Sequence, residues 1–410
     1  MKTLIKSALV HDPSSQHHGK RRDILLDKGI IAQVGVSISD SKARPIEGDG
    51  LMVTPGWIDL KAHFCDPGIE YKEDLKSGLA AANKGGFRKV LLMPSTLPVV
   101  DSKSTVEYVL RNAVHPNVEV MVAGSLSDKM EGKQLSEMFD MYATGAMAFT
   151  DDKKNVGAEL MSRALEYAKN FGGLVMSFPY ERALSSHGQM HEGAMSVALG
   201  MKGIPNVSED MRVQRDLELL RYHGGRLHFM LVSTAKSIEL IRKAKKEGLN
   251  VTCAIAAHQL SFLDEDLKTF DSNYKVLPPF RTKEERKALI AGIKDGTIDA
   301  ICSDHSPEDI EHKVREFEDA EFGISSIETA FCSAWTSLSQ HMEIADFVSL
   351  LTTGPAKVLG ITNQIIEEGN PDSITVFSPT DTTTFHKSEW ISKSYNSPFI
   401  GKTLIGKVVY

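Results

Sequence analysis

Apolar positions change their spacing twice along this chain. From Leu4 to Val34 they fall in short β-rich runs, Leu4–Val10, Asp23–Leu26 and Ile30–Val34, separated by polar or glycine-containing breaks. The last forty-odd residues have the same texture, in Ser373–Phe377, Thr403–Ile405 and Lys407–Tyr410. Between these ends, short apolar runs alternate with stretches of helical period. The runs are Trp57–Ala62, Lys89–Met93, Glu119–Gly124, Gly145–Thr150, Gly173–Phe178, Arg226–Leu231, Asn250–Ile255 and Ile298–Ser303. Helical periods cover Val156–Phe171, Glu209–His223, Ala235–Glu247 and Lys283–Lys294. Several close on a glycine stop that leads into a strand, as in Phe171-Gly172-Gly173 and His223-Gly224-Gly225. A short apolar run between two helices marks a parallel strand buried on both faces. The alternation predicts the α/β class. Eight such units predict a (β/α)8 barrel over residues 55–364, with a small β domain built from both termini, 1–54 and 365–410. An open doubly wound sheet is the alternative; it more often carries a glycine-rich phosphate turn, and neither G-x-G-x-x-G nor G-x-x-x-x-G-K-[ST] occurs here.

Composition narrows the function. The 410 residues are 41% apolar and 25% charged, enough to bury a large core. Lys and Arg number 47 against 54 Asp and Glu, a net charge of −7. That argues against nucleic acid as a partner, because no basic surplus exists to neutralise phosphates. No run of about 18 apolar residues is present, so no membrane span is expected. Met1-Lys2-Thr3-Leu4-Ile5-Lys6 leads into no long apolar stretch and does not read as a signal peptide. Cys65, Cys253, Cys302 and Cys332 form no Cys-x-x-Cys pair and read as reduced thiols. The expected location is cytoplasmic.

Barrel chemistry sits where strands end. The first run ends in Asp59-Leu60-Lys61-Ala62-His63, the fourth in Phe149-Thr150-Asp151-Asp152, the fifth in Met176-Ser177-Phe178, and the eighth in Cys302-Ser303-Asp304-His305. Pro55-Gly56-Trp57-Ile58-Asp59-Leu60-Lys61-Ala62-His63 resembles the first-strand motif of amidohydrolases, P-G-x-x-D-x-H-x-H. Met93-Pro94-Ser95-Thr96, Phe149-Thr150-Asp151-Asp152, His191-Glu192-Gly193, Pro278-Pro279-Phe280-Arg281 and Ser303-Asp304-His305-Ser306-Pro307 continue the likeness in order. Together they resemble the dihydroorotase family, in its longer bacterial branch, over essentially the whole chain.

The resemblance implies a zinc site of H-x-H on strand one, an Asp after strand four, histidines on strands five and six, and an Asp after strand eight. Matched residue by residue, the chain keeps His63, Asp152 and Asp304. It has Lys61 for the first His and Leu231 for the strand-six His. The strand-five His falls on Phe178, or on Ser177 if the match slips by one. The family's substrate positions are replaced too, by Cys65, Ser95, Leu277 and Glu308. A protonated Lys is no ligand and repels a dication. Asp152 and Asp304 facing each other need a positive charge, and Lys61 is expected to supply it in place of zinc. His258 and His187 are the residues left that could complete a rearranged site.

These matches carry two functional expectations. One is a non-catalytic member of the family, with no metal, Asp304 vestigial, and a role as structural or regulatory partner of aspartate carbamoyltransferase in pyrimidine synthesis. The other is an active dihydroorotase with zinc in a reduced or rearranged site, Asp304 moving the proton to the leaving nitrogen. A third expectation is a small-molecule site in the altered mouth with Lys61 as its anion anchor. The family resemblance also implies a homo-oligomer.

Overall fold

A computed structural model describes residues 2–410; Met1, where the N-terminal reading begins, lies outside the described residues. The chain opens with β1 (Thr3–Val10), β2 (Arg21–Asp27), β3 (Ile30–Gly35), β4 (Arg44–Ile46) and β5 (Met52–Pro55). Then come β6 (Trp57–Ala62), β7 (Phe87–Leu92), β8 (Glu119–Gly124), β9 (Ala146–Phe149) and β10 (Leu174–Ser177). A small pair follows, β11 (Met190–His191) and β12 (Gly203–Ile204). The rest are β13 (Arg226–Phe229), β14 (Val251–Ala256), β15 (Ala300–Cys302), β16 (Ile374–Thr384) and β17 (Thr403–Val408).

Eight of these run parallel in the order β15-β14-β13-β10-β9-β8-β7-β6, and the ends of the row meet through a parallel bridge between Ala62 and His305. Two of them, β6 and β8, coincide with a predicted run, and the other six differ from theirs by at most two residues at either end. The strands are legible because both faces are buried, one in the barrel interior and one against helices. Ile58, Leu60, Leu91, Met176, Ala254 and Cys302 belong to the interior cluster, while Trp57, Phe87, Val90 and Phe149 pack in the outer one. The first and last strands are also joined by a buried carboxylate. Asp59 accepts from the Ser303 amide at 2.8 Å and from the Ser303 hydroxyl. Burial, only partly offset by these donors, pushes its pKa up to about 6.

Both chain ends build a second sheet of seven strands, ordered β17-β16-β5-β1-β2-β3 with β4 beside β1. Its centre is the antiparallel pairing of β5 with β16, Pro55 opposite Ile374 and Met52 opposite Phe377. Here the structure differs from the sequence expectation. Thr403–Ile405 and Lys407–Tyr410 are not two strands; Thr403–Val408 is one. Gly406 sits inside it at φ +105°, and an added Cβ would lie 2.6 Å from the Phe331 ring, so this glycine marks a close approach and not a turn.

Residues 386–401 leave the terminal sheet and lie on the barrel. The Ile391 and Ser392 amides donate to Glu328 Oε1 at 2.9 and 3.0 Å, and the Ser392 hydroxyl donates to Glu73. Asn396 accepts from the Glu308 amide at 3.0 Å and donates to the Ser306 carbonyl at 3.2 Å. This strap brings the C-terminal segment to the end of the barrel where β6 and β15 finish. Among the described residues, no helix is long and apolar enough to cross a membrane.

Candidate functional site at the barrel mouth

Lys61 is the penultimate residue of β6, Asp152 lies three residues past β9, and Asp304 lies two past β15. At Asp152, Asp304 and Leu231 the backbone takes the left-handed conformation, φ +49°, +50° and +54°. Residues with a Cβ rarely adopt it, at a cost of about 1–2 kcal/mol each. The bends at strand ends let the two carboxylates converge over the first strand. Lys61 Nζ stands 2.8 Å from Asp304 Oδ1 and 3.3 Å from Asp152 Oδ1. All three side chains are almost fully buried.

The charges support one another. Burial pulls the Lys61 ammonium down, but Asp152 and Asp304 outweigh it and raise its pKa above the ordinary lysine value. Burial pushes Asp152 up, and Lys61 with His63 holds it well below the usual carboxylate range. Asp304 is likewise held down against burial, by Lys61, Lys153 and His258. Asp152 Oδ1 has no hydrogen bond, so at 3.3 Å it is compensated by the ammonium's charge alone.

The other oxygen of Asp152 is well supplied. Ser95 Oγ donates to Oδ2 at 2.7 Å, and His63 Nε2 lies 2.7 Å from the same atom. Burial lowers the His63 pKa against the opposing pull of Asp152. The ring's Nε2 lies against the carboxylate, and Nδ1 stands 3.1 Å from both the His305 carbonyl and the Ser306 hydroxyl. Lys153 Nζ donates to Ser306 Oγ at 3.1 Å and heads this chain of hydrogen bonds. On the far side, His258 Nε2 stands 3.4 Å from Asp304 Oδ2, and its Nδ1 has no partner.

The remaining predicted positions divide. Phe178, Leu231 and Leu277 join the apolar interior cluster. Ser177 turns away from the mouth and donates to Asp216 Oδ2 at 2.6 Å, on the helix Asn206–His223. Of the two alternatives for the strand-five position, Phe178 is therefore the one on the barrel interior. Glu308 pairs with Lys72 at 2.7 Å. Cys65 lines a small hollow with Phe64, Leu92 and Met93 instead of the mouth, and burial pushes its thiol up to about 12. His191 accepts from Arg281 at 3.2 Å, and His187 is exposed on the rim. Lys61 is not free to anchor an anion, because both acids engage it.

The chemistry of this donor set does not fit zinc. Phe178 and Leu231 offer no lone pair, His63 Nε2 is spent on Asp152, and an ammonium stands against both carboxylates. The sequence reading missed Lys153 and Ser306 as members of the site. The available signal was two lysines directly after Asp151-Asp152. Asp151 itself is structural, accepting from the Leu126 and Ser127 amides at 2.9 and 2.8 Å.

A closed parallel barrel with a sheet from both termini and its polar groups gathered past the strand ends is the amidohydrolase architecture. L-hydantoinase (dihydropyrimidinase) from Arthrobacter aurescens superposes with a TM-score of 0.84 at 22% identity, over 99% of this chain and 93% of that one. A dihydropyrimidinase from Brevibacillus agri gives 0.82 at 20% identity, over 100% and 93%. At such identities the likeness speaks for the fold alone. The sequence is more specific. Residues 50–237 match the family model described as Dihydro-orotase-like. A protein named Dihydroorotase from Syntrophus aciditrophicus is 39% identical over 414 residues, covering 100% of this chain and 97% of the relative. Another of that name, from Acetivibrio thermocellus, is 40% identical over 411 residues, covering 99% and 96%. The chain belongs to the dihydroorotase family.

Proposed function

We propose that this chain is a non-catalytic member of the family, one that uses an internal ammonium where relatives of the resemblance use zinc. The observation that carries this reading is Lys61 Nζ at 2.8 and 3.3 Å from the two retained acids. No bound hydroxide can be generated by a lysine, whose raised pKa keeps it protonated. The substrate positions support the same reading. Leu277 is apolar, Ser95 is engaged by Asp152, and Glu308 adds a carboxylate paired to Lys72. The role that follows from the family resemblance is structural or regulatory, in a complex with an aspartate carbamoyltransferase, with the chain itself a homo-oligomer in the cytoplasm. An interface needs the preserved surface of the fold and not the reaction centre.

The names of the relatives favour a second reading, an active dihydroorotase interconverting dihydroorotate and carbamoyl aspartate. It requires Lys61 to leave the acids and other groups, such as His258 and His187, to complete a metal site. One experiment separates the two: zinc content after loading and removal of excess, beside dihydroorotate hydrolysis on the same sample. The first reading expects far less than one zinc per chain, no turnover, and co-purification with the transcarbamoylase. Stoichiometric zinc with turnover overturns it.

A further inference from the structure

Outside the carboxylate–lysine group, the mouth opens into a cavity of about 440 Å³, in the size range of small-molecule sites. Its wall holds three cationic side chains, Lys153, Lys154 and Arg182, and an apolar side made of Tyr180, Leu277 and Phe322. Glu321 is the one carboxylate on the wall besides Asp152. Asp152 is already answered by Lys61 and His63.

Lys153 is the informative group. It is half-buried, and an ammonium has three N–H donors. Its hydrogen bond is to Ser306 Oγ at 3.1 Å, and among the described residues no carboxylate lies within 4 Å of it. Asp152 and Asp304 lie further off, and both are spent on Lys61. The two donors left over stand at the cavity wall. Lys154 and Arg182, both exposed, form no ion pair among the described residues and add charge at the rim.

We infer that this cavity binds a small metabolite carrying a phosphate or carboxylate on an apolar or planar body. Lys153 takes the oxyanion, Arg182 and Lys154 raise its local concentration, and Tyr180, Leu277 and Phe322 cover the body. The inference rests on the non-catalytic reading and makes the mouth a ligand-sensing site. It also moves the anion anchor from Lys61 to Lys153.

The test is calorimetric titration of the full chain with phenyl phosphate, benzoate and inorganic phosphate, with dihydroorotate hydrolysis assayed on the same preparation. Saturable binding is expected, with at least one ring-bearing probe tighter than inorganic phosphate. Lys153→Met should weaken it roughly tenfold or more, and Lys153→Arg by less than about threefold. Arg182→Met should weaken it only a few-fold, and more so at low salt. Unchanged affinity in a Lys153→Met protein that melts like the parent overturns the inference. So does the absence of saturation by any probe up to about 10 mM in a protein without turnover, and that result leaves the non-catalytic reading standing. Turnover of dihydroorotate removes that reading, and the inference with it.

Discussion

Past the barrel strands lie two buried charge groups that meet the cost of burial in different ways. At the mouth, two carboxylates share Lys61, and Asp152 Oδ1 has no hydrogen bond to fall back on. Some residues away, Glu209 and Arg281 are nearly as buried, yet their closest charged atoms are 3.5 Å apart. Glu209 there accepts from the Ser233 and Thr234 amides at 2.8 and 3.0 Å, and Arg281 donates to the Ile204 carbonyl at 3.1 Å and to Ser233 Oγ at 3.0 Å. Burial wins in that pair: it raises the Glu209 pKa and lowers that of Arg281. At the mouth the charges win. The Glu209–Arg281 pair spreads its satisfaction over backbone groups; at the mouth both acids lean on one shared ammonium, the sole partner of Asp152 Oδ1. The first can lose a charge and keep most of its bonds. The second cannot.

The largest break in this contrast is Lys61→Met. Two facing carboxylates would lose their cation, a loss of about 3–5 kcal/mol by analogy with other broken buried pairs. Glu209→Gln keeps an oxygen for the Ser233 and Thr234 amides and should cost about 1–3 kcal/mol. Urea unfolding at neutral pH measures both, and an equal or larger loss for Glu209→Gln would erase the distinction.

Acid separates the regions next. The mouth acids have depressed pKa values, so their contribution is complete above the unfolded value of about 3.9 and is lost as pH falls through the folded values. Their acid limb lies below about pH 4. His191, beside Arg281, is held at about 4 by burial and then by the guanidinium. The unfolded histidine takes its proton near pH 6.5, so this region loses stability between about 6.5 and 4. In His191→Gln the slope of stability against pH should fall by about one proton across that window, with the limb below pH 4 unchanged. A slope that does not move would show that the ring is protonated in the fold.

The smallest effect is Ser95→Ala, which removes one donor from Asp152 Oδ2 and leaves His63 on the same atom. About 1 kcal/mol is expected in the same unfolding experiment. A loss approaching that of Lys61→Met would mean that hydrogen bonds, not the ammonium, hold the mouth.

How far the sequence reached follows from the same physics. Parallel barrel strands are buried on both faces and leave short apolar runs, so all eight were legible, as was the helix Lys283–Lys294. The acids and Lys61 were legible because the resemblance fixed their positions at strand ends. What escaped is held by polar contacts with no period. The strap of residues 386–401 is tied by Ser392 and Asn396 and has neither helical nor strand spacing. Ser177 and Phe178 were indistinguishable until Asp216, 39 residues on, claimed the serine. Lys153 gave only a charge next to an acid, and its value comes from Ser306, brought to it by the fold across 153 residues.

The pairing of Pro55 with Ile374 in the terminal sheet also sets a timetable for synthesis. β5 can pair with β1 early, but its other edge stays open until β16 emerges from the ribosome. At about 5–20 residues per second, that wait is on the order of tens of seconds. For that time the nascent chain carries an unpaired, apolar strand edge, the kind that recruits other chains. Chains stopped anywhere short of β16 are expected to collect in the insoluble fraction or on chaperones, while full-length chains clear both.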